Sequence, residues 1–241
     1  MAGHSKWKNI AHKKEKTDAQ RAKIFTKLSR EIIVAVREGG SDPSANARLK
    51  DCIAKARQNN VPNDNIKRVI ERAAGGSAGV NYESITYEGY GPGGTAVIVE
   101  TMTENRNRTA GEMRHYFDKF GGNLGPAGCV SWSFDRKGVF AVSAEGADED
   151  SLMMLVLDAG ASDFAAEDGV FEILTEPEAF EAVRDALESA GIVTLSSDIE
   201  MLPQNWVKLT DEDSIKKMRR LLESLDDNDD VQSVFHNWEE G

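Results

Sequence analysis

The chain is poor in the residues that mark most kinds of chemistry. Its 241 residues hold only two cysteines and four histidines. Cys52 and Cys129 stand far apart in sequence, which gives neither a metal-ligand spacing nor a disulfide framework and fits a reducing cytoplasm. The pair reads most simply as small buried apolar side chains. His4, His12, His115 and His236 form no His-x-x-x-His and no Cys–His pair, so no metal and no cofactor are expected. No apolar run is long enough to span a bilayer. The N-terminus has no apolar signal-peptide core; it is acid-poor, but Lys-rich and Ser-poor, unlike a transit peptide. A cytoplasmic chain with no membrane partner and no small-molecule substrate is expected. A Gly-x-Ser-x-Gly elbow and a Walker sequence are both missing. The glycine-rich stretch 90–94 precedes a strand pattern, not a helix, and reads as a hairpin turn. Residues 226–230 carry four aspartates but lack the alternating ligands, glycine and closing glutamate of a calcium loop, and read as a solvated turn. Carboxylates abound, yet none stands out as a general acid or base, so an enzyme is not expected. A nuclease would need a metal-binding acid cluster that cannot be identified.

What is present is charge of two signs kept apart. The net charge is −12, from 29 basic and 41 acidic side chains. The first thirty residues nevertheless carry nine Lys or Arg against two acids, and residues 1–75 hold 17 basic and 8 acidic side chains against 12 and 33 in the remainder. A basic arm on an acidic body points to a polyanion partner, met by release of condensed counterions. The plain alternative is a solvated, frayed terminus. Candidate nucleic-acid contacts in the arm are Lys6, Trp7, Lys8, His12, Lys13, Lys14 and Lys16. Trp7 either stacks on a base between its two lysines or folds back onto the first helix as an anchor.

A helix is expected from about Thr17, with Gln20 completing a capping box, to Gly39-Gly40. Phe25, Leu28, Ile32 and Val36 give it an apolar face. Lys16, Lys23, Lys27 and Arg30 fall in one stripe on the other side, and with Arg21 join the candidate contacts. A second helix spans about 44–58 with Leu49, Cys52, Ile53 and Ala56 inward. A third follows Pro62, capped by Asn63 and closed by Gly75-Gly76. Residues 76–79 read as a linker. From residue 84 the period changes to two: strands are expected at 85–88, 95–101 and 129–134, with a helix at 106–120. Arg106 and Arg108 open that helix, where they either grip phosphate or pair with surrounding carboxylates. Residues 137–203 give strand, helix, two strands, helix, strand, the split βαβ order of a ferredoxin-like unit. A helix at 211–225 and a strand at 231–236 would complete the sheet begun at 84. The fold class is thus α+β and multidomain: an N-terminal three-helix bundle (1–78), a middle α+β domain (79–135 plus 204–241), and an inserted acidic ferredoxin-like domain (136–203).

Several blocks resemble the YebC/PmpR family over the full length. They are Ala2-Gly3-His4-Ser5-Lys6-Trp7, Lys23-Ile24-Phe25-Thr26-Lys27, Arg30-Glu31-Ile32, Gly40-Ser41-Asp42-Pro43, the run 87–94, Asn105-Arg106-Asn107-Arg108-Thr109 and Gly121-Gly122-Asn123. The resemblance implies three domains and no cofactor. It also implies a cytoplasmic DNA-binding transcriptional regulator, although other members are linked to translation, among them a mitochondrial translational activator for a cytochrome oxidase subunit. The expected function is a non-enzymatic nucleic-acid-binding regulator of gene expression acting on duplex DNA. The alternative is a translation factor that uses the same basic surface on ribosomal or messenger RNA, or on the ribosome itself. The sequence shows no helix-turn-helix with base-reading side chains, so contact mainly to the backbone is expected.

Overall fold

The structure, a computed structural model, describes residues 18–76, 81–167 and 169–240, with side chains described from residue 21 on. The capping box at Thr17 and Gln20 and the linker residues 77–79 lie outside what is described. Helix α1 (Asp18–Gly39) buries Leu28, Ile32, Ala35 and Val36 against Leu49, Cys52, Ile53 and Ala56 of α2 (Ala47–Gln58) and Ile66 and Ala73 of α3 (Asn63–Ala74). Gly40, at φ +87°, ends α1, and its N–H donates to the Val36 carbonyl.

Both later helices start differently from the sequence reading. Helix α2 begins at 47 rather than 44, because Asn46 is its cap. The Asn46 side chain accepts from the Leu49 N–H at 3.0 Å and donates to the Ala35 and Gly40 carbonyls at 2.8 Å each. Ser44 instead bonds to Asp42, through its own N–H and hydroxyl. Asn63 does not cap α3; its oxygen accepts from Arg57 Nε at 3.0 Å, and Pro62 precedes the helix.

Beyond the bundle come β1 (Glu83–Tyr90), β2 (Ala96–Thr103), α4 (Arg106–Lys119) and the short β3 (Asn123–Leu124). The chain then runs through β4 (Phe134–Ser143), α5 (Glu149–Asp158), β5 (Ala161–Glu167), β6 (Val170–Thr175), α6 (Phe180–Ser189) and β7 (Thr194–Pro203). It returns through β8 (Val207–Lys208), α7 (Glu212–Asp227), β9 (Val231–His236) and β10 (Trp238–Glu239). The expected strand at 129–134 is absent: Ser131–Ser133 is a 3-10 turn, and β4 starts at Phe134 instead of 138. The alternation of Cys129-Val130-Ser131-Trp132-Ser133-Phe134 mimics a strand, but two backbone N–H groups of this segment, with that of Gly128 before it, are spent on a carboxylate, as described below.

Two compact units result, one of residues 135–202 and one of the described residues before and after them. In the larger unit the sheet order is β3-β1-β2-β9, antiparallel throughout. Helices α4 and α7 cover one face, with Met113 and Phe117 against Met218, Leu221 and Leu225, above Val97, Val99 and Val231. In the smaller unit the order is β5-β6-β4-β7, which is the 2-3-1-4 order of a ferredoxin-like sheet. Its core holds Phe140, Val156, Phe171, Ile173 and Leu187, with Phe140 and Phe180 stacked at 4.6 Å. Because Phe117 is fully buried between both helices and the sheet, Phe117→Ala is expected to lower unfolding stability by about 3–5 kcal/mol. A urea midpoint shift tests this, and a change near zero would contradict the packing described.

Candidate nucleic-acid interface

The basic stripe of α1 faces the protein's own acidic turn. Lys23 Nζ lies 2.6 Å from Asp227 Oδ1, and Lys27 Nζ donates to the Asp226 carbonyl at 3.0 Å. Arg30 goes deeper. Its Nη1 reaches Asp230 Oδ1 at 2.7 Å, the Asp229 carbonyl at 2.6 Å and the Met102 carbonyl at 3.1 Å, and its guanidinium lies over the Tyr82 ring. Arg108, from the first turn of α4, brings Nη2 to the second Asp230 oxygen at 2.8 Å. The Thr103 and Thr109 hydroxyls stand 3.0 and 2.8 Å from that oxygen. Of residues 226–230, Asp226, Asp227 and Asp229 are exposed as a solvated turn would be, and Asp230 alone departs from that reading. Asp230 is only 3% exposed, and a buried carboxylate must be paired and hydrogen-bonded to remain charged.

A second buried carboxylate is held differently. Glu88, on β1, accepts from the backbone N–H groups of Gly128 at 2.8 Å, Val130 at 3.0 Å and Ser131 at 2.8 Å. Burial pushes the Asp230 and Glu88 carboxyls up, but these donors outweigh it, and both end below the usual range. Burial also pushes the His236 imidazole down, and Glu240, the Trp238 backbone and Asp226 oppose this without reversing it.

Of the candidate contacts, Lys6, Trp7, Lys8, His12, Lys13, Lys14 and Lys16 lie outside the described residues. Arg21 is exposed near the start of α1 and Arg106 at the start of α4, whereas Lys23, Lys27, Arg30 and Arg108 converge on the acidic turn. The sequence reading missed cations on α2 and α3. Arg48 is paired with Glu38, Lys55 lies 3.4 Å from Glu31, and Lys67 is 4.0 Å from Glu71. Arg68 and Arg72, four apart on α3, are exposed, and their guanidinium groups have no partner among the described residues. Beside them a groove of about 510 Å³ runs between α2 and α3, floored by Ile53, Ile66 and Ile70 and edged by Arg57 and Lys67. The two helices are joined by residues 59–62, with Asn60 at φ +59°, which is the connectivity of a helix-turn-helix. The signal for this face was in the sequence, as the single-signed pair Arg68 and Arg72 at helical spacing. Among the described residues no group of His, Cys, Asp and Glu is gathered to hold a metal, and no helix is long and apolar enough to cross a membrane.

Residues 5–76 match the profile of the TACO1/YebC protein N-terminal domain, and residues 82–238 that of the TACO1/YebC second and third domain. The chain belongs to the TACO1/YebC family. It is 59% identical over 241 residues to a probable transcriptional regulatory protein of Caldicellulosiruptor bescii, covering 100% of this chain and 99% of that one. A probable transcriptional regulatory protein of Acetivibrio thermocellus is 58% identical over 239 residues, with 99% of each chain covered. The crystal structure of a conserved hypothetical protein from Aquifex aeolicus superposes with a TM-score of 0.83 at 44% identity, over 94% of this chain and 95% of that one. The α+β architecture with a leading helical bundle is thus that of a TACO1/YebC protein.

Two predictions follow from the buried charges. Asp230→Ala leaves Arg30 facing a vacated carboxylate site and is expected to cost about 3 kcal/mol, the low end for a buried pair because Arg108 stays partly in water. Lys23→Ala, at an exposed pair, should leave the urea midpoint nearly unchanged; equal losses in the two variants would refute the distinction. Stability should also fall in two steps on acidification. The folded His236 pKa is depressed, so below about pH 6.5 the unfolded chain takes up a proton first. The folded carboxyl pKa values are also depressed, so Asp230 and Glu88 withdraw stability once pH drops below about 4 and on through their folded values. Urea midpoints measured across this range check the sign, and stability that rose on acidification would overturn it.

Proposed function

We propose that this protein is a nucleic-acid-binding regulator of gene expression that grips the phosphate backbone of duplex DNA through the basic face of its helical bundle. The observation carrying this reading is the exposed pair Arg68 and Arg72 on α3, without internal partners on a chain of net charge −12. The names borne by the relatives agree in class. Phosphate contacts from α3 and α2 fix register on a duplex without reading bases. The arm residues Lys6, Trp7, Lys8, His12, Lys13, Lys14 and Lys16 are further candidate contacts by charge and residue type, and Arg21 and Arg106 add exposed cations at two helix starts. Lys23 and Lys27 serve in a second tier, because a polyanion must first displace Asp226 and Asp227 from them. The domain division at 78, 135 and 203 assigns binding to the basic bundle and not to the acidic 136–203 domain. A translation factor acting on RNA is the second reading. It is favoured by one observation, a tryptophan 70% exposed at position 132, since unpaired bases accept aromatic side chains.

Each phosphate contact contributes about 0.9 to the slope of log affinity against log salt on duplex DNA. The double variant Arg68→Ala with Arg72→Ala is therefore expected to lower that slope by about 2 and to weaken binding uniformly across duplex sequences. Fluorescence anisotropy of a labelled duplex over a salt series measures it. An unchanged slope would remove the bundle face from the interface.

A further inference from the structure

The loop after α4 displays aromatic rings on a rigid base. Glu88 fastens residues 128–131 by three backbone N–H bonds. Within that loop the Cys129 carbonyl accepts from Trp132 Nε1 at 3.0 Å and from the Tyr90 hydroxyl at 3.2 Å. Trp132 and Tyr90 are thus tied to one atom, with their polar groups satisfied inside the protein, yet they remain 70% and 40% exposed. Trp206 joins them from the returning strand segment, where the Gln204 N–H donates to the Ser133 carbonyl at 2.9 Å, and it is 40% exposed. An exposed tryptophan normally loses freedom when it is pinned, and here a buried carboxylate is committed to pinning it.

Cations surround these rings. Met218 packs beneath Gly91 and the Lys217 side chain runs along Gly121, while a Cβ on Gly122 would strike the Tyr90 carbonyl. Lys217 therefore flanks the Tyr90 turn on one side. Leu209 covers Gly93, and the exposed Lys208 follows Trp206 by two residues on the same segment. Lys119 lies over the Phe120 ring beside Gly121. Lys217 pairs with Asp213 at 2.6 Å, and Lys208 stands opposite Glu239 in the strand register. The Lys217–Asp213 pair lies at the surface, and an exposed pair is weak enough to yield to phosphate.

We propose that Tyr90, Trp132 and Trp206 form a stacking platform for unpaired nucleobases, with Lys119, Lys208 and Lys217 neutralising the phosphates between them. The ligand class is single-stranded nucleic acid, RNA or DNA. This deepens the nucleic-acid reading above, on which it rests, and adds a surface separate from Arg68 and Arg72. Interleaved aromatics and lysines track a single strand without sequence preference, because every base offers a ring face. A duplex hides those faces in its stack and gains nothing from the platform.

The test titrates the full chain, by anisotropy, with a labelled uridine-tract RNA, a thymidine-tract DNA and a mixed duplex of matched length. Trp132→Ala is expected to weaken single-strand binding roughly tenfold, the loss of about one stacked base, while duplex binding stays unchanged. Trp132→Phe keeps a ring and should retain most of the single-strand affinity. A thermal melt of each variant confirms the fold. The RNA and DNA arms identify which single strand binds more tightly, and either supports the platform. Unaltered single-strand affinity in Trp132→Ala would overturn the proposal, as would equal loss on duplex and single strand. If Arg68→Ala with Arg72→Ala leaves duplex binding intact while Trp132→Ala still abolishes the single-strand preference, the bundle reading fails and the platform stands.

Discussion

The larger unit is organised around one carboxylate. Asp230 sits between α7 and β9 and draws in Arg30 from α1, Arg108 from α4, and hydroxyls from Thr103 at the end of β2 and Thr109 on α4. Each of these groups lies more than a hundred residues from Asp230 in the chain. A charge so deeply buried is costly alone, so the surrounding elements must stay where their donors reach it. Arg30 also bonds to the Met102 and Asp229 carbonyls, so the bundle's first helix is docked by directed donors as well as by apolar contact. Directed donors fix a register that apolar contact alone leaves loose, since hydrophobic attraction has no angular preference.

Docking α1 in this way decides what its other cations can do. Once Arg30 is fixed, Lys27 and Lys23, one and two turns earlier on the same stripe, look toward Asp226 and Asp227 respectively. The protein thereby supplies a small polyanion of its own to that stripe. The pairs are exposed and screened by salt, so they hold weakly and are exchangeable. A single mobile acid gains little by replacing them, whereas a ligand with many phosphates gains counterion release at each contact. The acidic turn acts as a threshold that favours densely charged ligands over dilute ones, and the remaining acidic surface works in the same sense.

The helices and the ferredoxin-like order were legible because apolar period and breakers are local signals. Leu28, Ile32 and Val36 mark the inner face of α1 as read, and the inner faces of α2 and of residues 137–203 follow suit. What the sequence misrepresented was long-range. Nothing near Lys23 announces a partner about two hundred positions away, so a single-signed stripe reads as open to solvent. Alternation at 129–134 satisfies the strand template, yet period two reports only side-chain polarity and not where the N–H groups go. Glu88 takes those of Val130 and Ser131, together with that of Gly128 just before. The second helix is expected from about 44, but Asp42 captures Ser44, and Asn46, three residues before Leu49, has the capping geometry. On α3 the informative pair was present and overlooked, because Arg68 and Arg72 were absorbed into a bulk charge count.

Comparison of the two buried carboxylates gives the last step. Asp230 is compensated by side-chain cations, which consumes Arg30 and Arg108 and closes the surface around them. Glu88 is compensated by backbone dipoles, which consumes no cation and leaves nearby lysines at the surface. The same physical requirement, satisfying an anion away from water, therefore has opposite consequences at the two sites. At Asp230 it welds helices together and subtracts positive charge from the exterior. At Glu88 it stiffens a loop whose rings and neighbouring lysines stay presented to solvent. An acidic protein that must meet an acidic ligand cannot spend its cations freely inside. Holding the buried Glu88 carboxylate with backbone N–H groups and the Ser131 hydroxyl, and no cation, keeps part of that scarce positive charge at the surface, where a phosphate chain can reach it.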